Sequence, residues 1–171
     1  MLSETTPQID VFAQSMIGLG TIVLISERFK IMDPYYLNTD INLICVTANS
    51  FPDGIMAAFD KLHSLIPSKE PRKIFGVSYG NGKNGIIYKA AAEEKLEGEA
   101  KQLGCESFTA KKGEYTSIYI TDFMKDIRSI GRAFHELLTD KRIDENGYCL
   151  EMYLNSNKDV LCLVKLDPEK F

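Results

Sequence analysis

Hydrophobic and polar positions follow the same pattern in two segments of the chain. Residues 51–66 place apolar side chains at helical spacing, and residues 123–138 do so again. Both segments contain the motif Ala-Phe-x-x-Leu, with Phe59 in the first and Phe134 in the second. We therefore predict one helix in each segment, with these two phenylalanines in the core.

Short apolar runs flank each predicted helix and indicate β-strands. In both segments one run precedes the helix, and two more follow it, separated by a turn rich in Gly, Asn or Ser. Each unit therefore has the order β-α-β-β, and the two repeats span residues 41–92 and 114–167. The predicted strands are 41–48, 74–79 and 86–92 in the first unit, and 115–121, 149–154 and 160–166 in the second.

Two such units predict an α+β domain built from tandem pseudo-symmetric β-α-β-β repeats. One helix is too little to cover the strands of its unit, so we expect the units to pair about a pseudo-dyad. The product is an antiparallel sheet with helices on one face and a ligand pocket on the other. Residues 1–40 do not repeat and are predicted to be an N-terminal appendage, with a strand or hairpin over 21–32 and a turn at Pro34. The connection over 93–105 predicts a short helix.

The middle strand of the second unit carries a carboxylate, Glu151, among apolar residues. Because side chains alternate along a strand, Leu150 and Met152 share one face, which we expect to meet the helices. Glu151 and Tyr153 then share the open face. The offset between the repeats matches Glu151 with Gly76, so one unit offers an acid where the other offers no side chain. This asymmetry predicts a cavity with one charged wall, although a solvent-facing glutamate is the simpler alternative.

Aromatic residues around such a carboxylate would favour a cationic ligand. The charge attracts a cation more strongly in a reduced dielectric, and ring faces add roughly 0.5–2 kcal/mol of cation–π attraction. For each ring, ordinary core packing is the competing interpretation. The candidate ligand-binding residues are Glu151, Tyr153, Tyr119, Tyr115 and Tyr88.

Composition excludes several classes of function. The chain has 171 residues, a net charge of −4 and no basic block, so nucleic-acid binding is not expected. Its four cysteines form no C-x-x-C pair, and the two histidines lie on separate helices without further ligands, so neither a metal site nor a cofactor is expected. The apolar stretch 11–25 is too short to span a bilayer and follows an acidic segment. These features predict a cytoplasmic protein without a membrane segment.

Three segments in a fixed order carry a family resemblance: "KKGEYTSIYIT", "IGRAFHELL" and "NGYCLEMYLN…DVLCLVKL". Through them the chain resembles the GyrI-like superfamily over residues 41–167. Members are bacterial effector-binding domains, many attached to multidrug-sensing transcription regulators. The resemblance implies the same tandem fold with an aromatic-lined pocket, in which Glu151 and Tyr153 match residues that contact cationic or amphipathic ligands. No helix-turn-helix fits the first forty residues, which implies a free-standing member.

Three hypotheses for function follow. The first is a protein that binds a small amphipathic cation through Glu151. The second is a hydrolase, because some free-standing members resemble enzymes that open cyclopropyl rings; Glu151 would act as general base and Tyr153 as proton donor. The third, suggested by the family's name, is an inhibitor of a topoisomerase. The sequence does not separate the first two, since both need a carboxylate beside a phenol. The appendage is in addition a candidate contact for a homodimer.

Overall fold

The computed structural model describes residues 32–67 and 71–171, which form an eight-stranded antiparallel sheet with helices packed on it. The strand order is β1-β6-β8-β7-β3-β4-β2-β5. The strands are β1 (Asp33–Leu37), β2 (Ile41–Thr47), β3 (Ile74–Gly80), β4 (Ile86–Glu93), β5 (Glu106–Ala110), β6 (Gly113–Ile120), β7 (Cys149–Leu154) and β8 (Asp159–Lys165). The α-helices are α1 (Ile55–Leu65), α2 (Glu99–Gln102) and α3 (Arg128–Leu137), and short 3-10 helices span Phe123–Lys125 and Pro168–Lys170.

The two predicted long helices are confirmed, and both lie on the same face of the sheet. In α3, Ile130, Phe134 and Leu137 form the buried stripe that the helical spacing predicted. They pack on β6 and β8. In α1, Ala58 and Leu62 are the buried residues, and this helix packs on β2 and β4. Each helix therefore covers mainly the strands of its own unit.

The two units meet at the centre of the sheet, where β3 pairs with β7. Gly76 and Glu151 are direct partners in this antiparallel ladder. They are also the two residues that the repeat matches with each other, so the pseudo-dyad passes between them. The tandem α+β arrangement is thereby confirmed.

The face away from the helices is closed by the sheet itself. The sheet curls into a half-barrel, and a hydrogen-bonded turn fastens its two ends. Asp40, between β1 and β2, accepts hydrogen bonds from Lys111 Nζ at 3.0 Å and from the amide of Lys112 at 2.8 Å, between β5 and β6. An apolar cluster fills the interior; its fully buried members include Leu43, Phe75, Val77, Tyr115, Leu150 and Leu163.

The half-barrel corrects two expectations. Leu150 and Met152 belong to its interior and do not lie under the helices. The face that we expected to be open is thus an apolar core. The residues of the last strand, β8, are buried on both faces from Asp159 to Val164, and the helices cover one of these faces. The curl of the sheet supplies the second cover.

The remaining differences concern the first forty residues and the connection between the units. Pro34 lies inside β1, the terminal strand of the described sheet, where a proline is tolerated, so the predicted turn there is wrong. Except for Met32, the strand expected over 21–32 lies outside the described residues. The connection contains the expected helix, shortened to α2, and also β5, which was not predicted because only Phe108 and Ala110 are apolar in it.

No helix in the described part of the chain is both long and apolar enough to cross a membrane.

Candidate functional site

Glu151 lies in the middle of β7, on the face that the helices cover. Its neighbour on that face, Tyr153, packs against the clusters of both long helices, whereas Leu150 and Met152 point into the half-barrel. The predicted direction of the Glu151 side chain is therefore wrong. Both faces of β7 are buried, so alternation alone could not decide which face meets the helices. The Glu151 residue is only 5% exposed, which excludes the solvent-facing alternative.

Tyr88 reaches Glu151 from β4 by crossing over β3. Its hydroxyl donates to Oε2 of Glu151 at 2.8 Å. The side chain passes above Gly76, where a Cβ atom would lie 2.7 Å from Glu151 Oε2 and closer still to the Tyr88 hydroxyl. Such distances are shorter than real Cβ contacts, so the glycine is the condition for this hydrogen bond.

Tyr153 donates to the same carboxylate oxygen, at 2.5 Å. Its ring lies between Phe59 of α1, at 5.8 Å between centroids, and Phe123 of the first 3-10 helix, at 5.4 Å. Tyr88 is in turn packed against Phe59 and Phe51, with centroid distances of 6.3 and 6.0 Å. Five aromatic rings thus surround one carboxylate.

The electrostatics of the cluster favour a neutral carboxyl or a bound cation. Burial raises the pKa of Glu151, and the hydrogen bonds from Tyr153 and Tyr88 oppose part of this increase. Burial also raises the pKa of both phenols well above the usual value, so they remain hydrogen-bond donors. Among the described residues, no Lys, Arg or His forms an ion pair with Glu151. The negative charge is therefore unmatched within this part of the chain.

Three of the five candidate residues come together, namely Glu151, Tyr153 and Tyr88. The other two lie on the opposite face of the sheet. Tyr115 is in the half-barrel, where its hydroxyl donates to the carbonyl of Lys111. Tyr119 is 44% exposed, and its hydroxyl donates to Asp159 Oδ2 at 2.7 Å. Neither of these two tyrosines can contact a ligand at Glu151 without rearrangement of the sheet.

The sequence reasoning missed three aromatic members of the site. Phe51 and Phe123 were not considered, and Phe59 was assigned to the core together with Phe134. Phe134 is fully buried as predicted, but Phe59 is only partly buried and lies against both tyrosines of the cluster. The motif that Phe59 shares with Phe134 gives no signal for this difference.

Exposed apolar side chains occur close in sequence to Phe59 and Phe123. Met56 precedes Phe59 by one turn of α1 and is 64% exposed. Met124 and Ile127 follow Phe123 and are also largely exposed. The segments that carry these two rings therefore also present apolar side chains to solvent. Within the described residues, no group of three or more His, Cys, Asp and Glu side chains is placed to hold a metal ion.

No model of a protein family and no curated protein matches the chain. Solved structures do match it. An integron cassette protein from the mobile metagenome of Vibrio cholerae has a TM-score of 0.60 and 14% identity, covering 80% of this chain and 95% of its own. The protein SAV2435, bound to tetraphenylphosphonium, has a TM-score of 0.50 and 10% identity, covering 79% and 94%.

A third match is a Staphylococcus aureus protein described as a bacterial transcription regulation protein, with a TM-score of 0.50 and 11% identity. It covers 79% of this chain and 98% of its own. SAV2435 and the S. aureus protein are GyrI-like. At these identities the likeness is one of fold. The chain therefore has the GyrI-like fold.

Proposed function

We propose that the chain binds a small amphipathic cation at Glu151, on the face of the sheet that α1 and α3 cover. The observation that carries the proposal is a buried carboxylate, 5% exposed, that has two phenol donors but no cationic partner in the described chain. Burying an unmatched carboxylate destabilises a fold, and a bound cation would offset that cost.

The surroundings of Glu151 favour an aromatic or otherwise lipophilic cation over a small hydrated one. Phe59, Phe123 and Tyr153 present ring faces and edges, which attract a cation and bury apolar substituents together. The exposed Met56 and Met124 are adaptable apolar side chains on the same segments as Phe59 and Phe123. Tyr153, Phe59 and Phe51 are the partly exposed rings around Glu151, so a ligand would enter by displacing one or more of them. A GyrI-like structure of the same fold is bound to tetraphenylphosphonium, which makes that ion a suitable probe.

Calorimetric titration with tetraphenylphosphonium tests the proposal. We expect saturable binding at one site per chain, a higher melting temperature, and a loss of at least tenfold in affinity in Glu151→Gln. Glu97→Gln, which changes an exposed carboxylate in the connection between the units, is the matched control and should bind like the wild type. Equal affinity of Glu151→Gln and the wild type would contradict the assignment.

A hydrolase is the second candidate, and one observation favours it. The raised pKa of Glu151 beside two phenols suits a group that exchanges a proton during a reaction. Turnover of a strained cyclopropyl electrophile that is lost in Glu151→Gln and in Tyr153→Phe would support an enzyme. Binding of the same compound without conversion would leave cation binding as the function.

A further inference from the structure

We propose that binding of a cation at Glu151 releases one proton from the cluster formed by Tyr88, Glu151 and Tyr153. This inference rests on the proposed function and adds a regulation of the same site by pH. In this exchange, the bound cation replaces the proton at the carboxylate of Glu151.

The geometry of the cluster supports a neutral carboxyl before the ligand arrives. Both phenols donate to Oε2 of Glu151, and neither brings a charge. The walls are aromatic rings from α1 and the first 3-10 helix, and the β3 residue beneath the cluster is Gly76, which offers no polar side chain. An ionised carboxylate in such surroundings is held only by two neutral hydrogen bonds, which is too little to compensate for lost hydration. In agreement, burial raises the pKa of Glu151 despite these bonds.

The other titratable groups near Glu151 do not supply the missing charge. Cys162 of β8 is its ladder partner, and Cys149 lies two residues away on β7; burial raises the pKa of the Cys149 thiol, which therefore stays neutral. On α1, His63 stacks on Phe59 and is exposed. On the first 3-10 helix, Lys125 forms an ion pair with Asp122 at the surface. Glu151 is thus the group of this cluster whose charge changes when a cation binds.

The proton balance of the exchange is simple. The O–H bond of the Glu151 carboxylic acid breaks, the proton passes to solvent water or buffer, and the cation pairs with the carboxylate that remains. Tyr153 is bonded to the carboxyl and partly exposed, so its side of the cluster is the exit to solvent. No bond to the ligand forms, and the net charge of the site is unchanged.

The affinity for the cation should therefore depend on pH in one range and be independent of pH in another. Below the raised pKa of Glu151, the affinity for a permanent cation rises about tenfold for each unit of pH, because each binding event releases one proton. Above that pKa the carboxylate is already ionised and the affinity is constant. The protein therefore holds the cation more tightly in neutral than in acidic solution.

Titration calorimetry of the whole chain with tetraphenylphosphonium measures the proton directly, since this ion neither gains nor loses one. Below the pKa of Glu151, the heat of binding should differ between phosphate and Tris buffers by the difference in their ionisation enthalpies, corresponding to about one proton per ligand. Glu151→Gln should show weaker binding, no buffer dependence and no dependence on pH. Glu97→Gln should retain the proton release.

The possible failures are distinguishable. Binding that depends on Glu151 but shows the same heat in both buffers and the same affinity across the acidic range would overturn proton release and leave the proposed function in place. Absence of tetraphenylphosphonium binding at every pH, also with other lipophilic cations, would overturn both. Proton release that persists in Glu151→Gln would place the exchanging group elsewhere and contradict the inference.

Discussion

The hydroxyl of Tyr88 lies 2.8 Å from Oε2 of Glu151, although the two residues belong to strands separated by β3. The bond exists because Gly76, the β3 residue between them, leaves the space above the sheet free. A backbone position without a side chain therefore controls the environment of a carboxylate on the neighbouring strand.

Gly76→Ala should disrupt this arrangement. The added Cβ would lie 2.7 Å from Glu151 Oε2 and would overlap the Tyr88 hydroxyl, so one of these side chains must move. Overpacking of this kind costs about 1–3 kcal/mol, which chemical denaturation would measure as a lower free energy of unfolding. In a double-mutant cycle, Tyr88→Phe should relieve part of the overlap, making the double variant more stable than additivity predicts. Strict additivity would show that Tyr88 does not occupy this space in solution.

Glu151→Gln should stabilise the protein in the absence of ligand. Because the folded pKa is raised, the folded state binds this proton more tightly than the unfolded chain. The wild-type free energy of unfolding should therefore fall as the pH rises from the ordinary range of glutamate through the raised pKa. Glutamine cannot ionise, so the free energy of unfolding of the variant should exceed that of the wild type by on the order of 1 kcal/mol at the alkaline end of this range. Urea titrations across pH would measure the difference.

Glu99→Gln is a control variant, because we expect its effect on the free energy of unfolding to have the opposite sign. Arg72 binds both oxygens of Glu99, at 2.7 and 2.8 Å, and lowers its pKa to about 2. The stability from this pair is present above the ordinary glutamate pKa and is lost as the pH falls towards 2. The glutamine variant should thus lose about 2 kcal/mol at neutral pH. A gain in both variants would contradict the pKa assignments.

Tyr153→Phe should raise the pKa of Glu151 further. The phenol bond from Tyr153 is the larger of the two that oppose the effect of burial, and phenylalanine cannot replace it. The pH dependence of the carboxyl ¹³C shift of Glu151 would report the change. Tyr119→Phe removes a hydroxyl that binds Asp159 on the opposite face, so the Glu151 titration should remain that of the wild type. A downward shift in Tyr153→Phe would be inconsistent with the hydrogen bond.

Leu150→Ala should be far more destabilising than Leu154→Ala. Leu150 is fully buried in the half-barrel, whereas Leu154 is partly exposed at the end of β7. We expect a loss of about 2–5 kcal/mol for the first and about 1 kcal/mol for the second. Thermal and urea unfolding would measure both. Equal small losses would indicate that the half-barrel interior is not a packed core.

The repeat was readable from the sequence because it depends on local periodicity. Phe59 and Phe134 lie on the two helices as predicted, and the matching of Gly76 with Glu151 is reproduced as a direct pair in the ladder. The face of the sheet towards which the Glu151 side chain points could not be predicted from the sequence. It depends on how far the sheet curls, and this curl is set by contacts among β1, β2, β5 and β6 that the alternation within β7 does not encode.

The composition of the candidate site was predicted in part. Tyr88 and Tyr153 were among the candidates, but so were Tyr115 and Tyr119. Strand alternation separates the two faces of one strand, but it does not show which residues of other strands lie on the same face of the sheet as Glu151. In the register of the sheet, Tyr119 stands opposite Leu161 and hence on the face of the half-barrel. Phe123 joins the site through the tertiary position of a 3-10 helix, which no local pattern specifies.

The pairing of Gly76 with Glu151 across the pseudo-dyad also limits the number of buried carboxylates at the centre of the sheet. A duplicated unit would ordinarily offer two equivalent sites, one in each half. Here the two equivalent positions are neighbours on the symmetry axis, so a second acid at residue 76 would compete with Glu151 and Tyr88 for the same volume. Two copies of the unit therefore place one carboxylate at the centre of the sheet. The first unit contributes by having a glycine at the equivalent position.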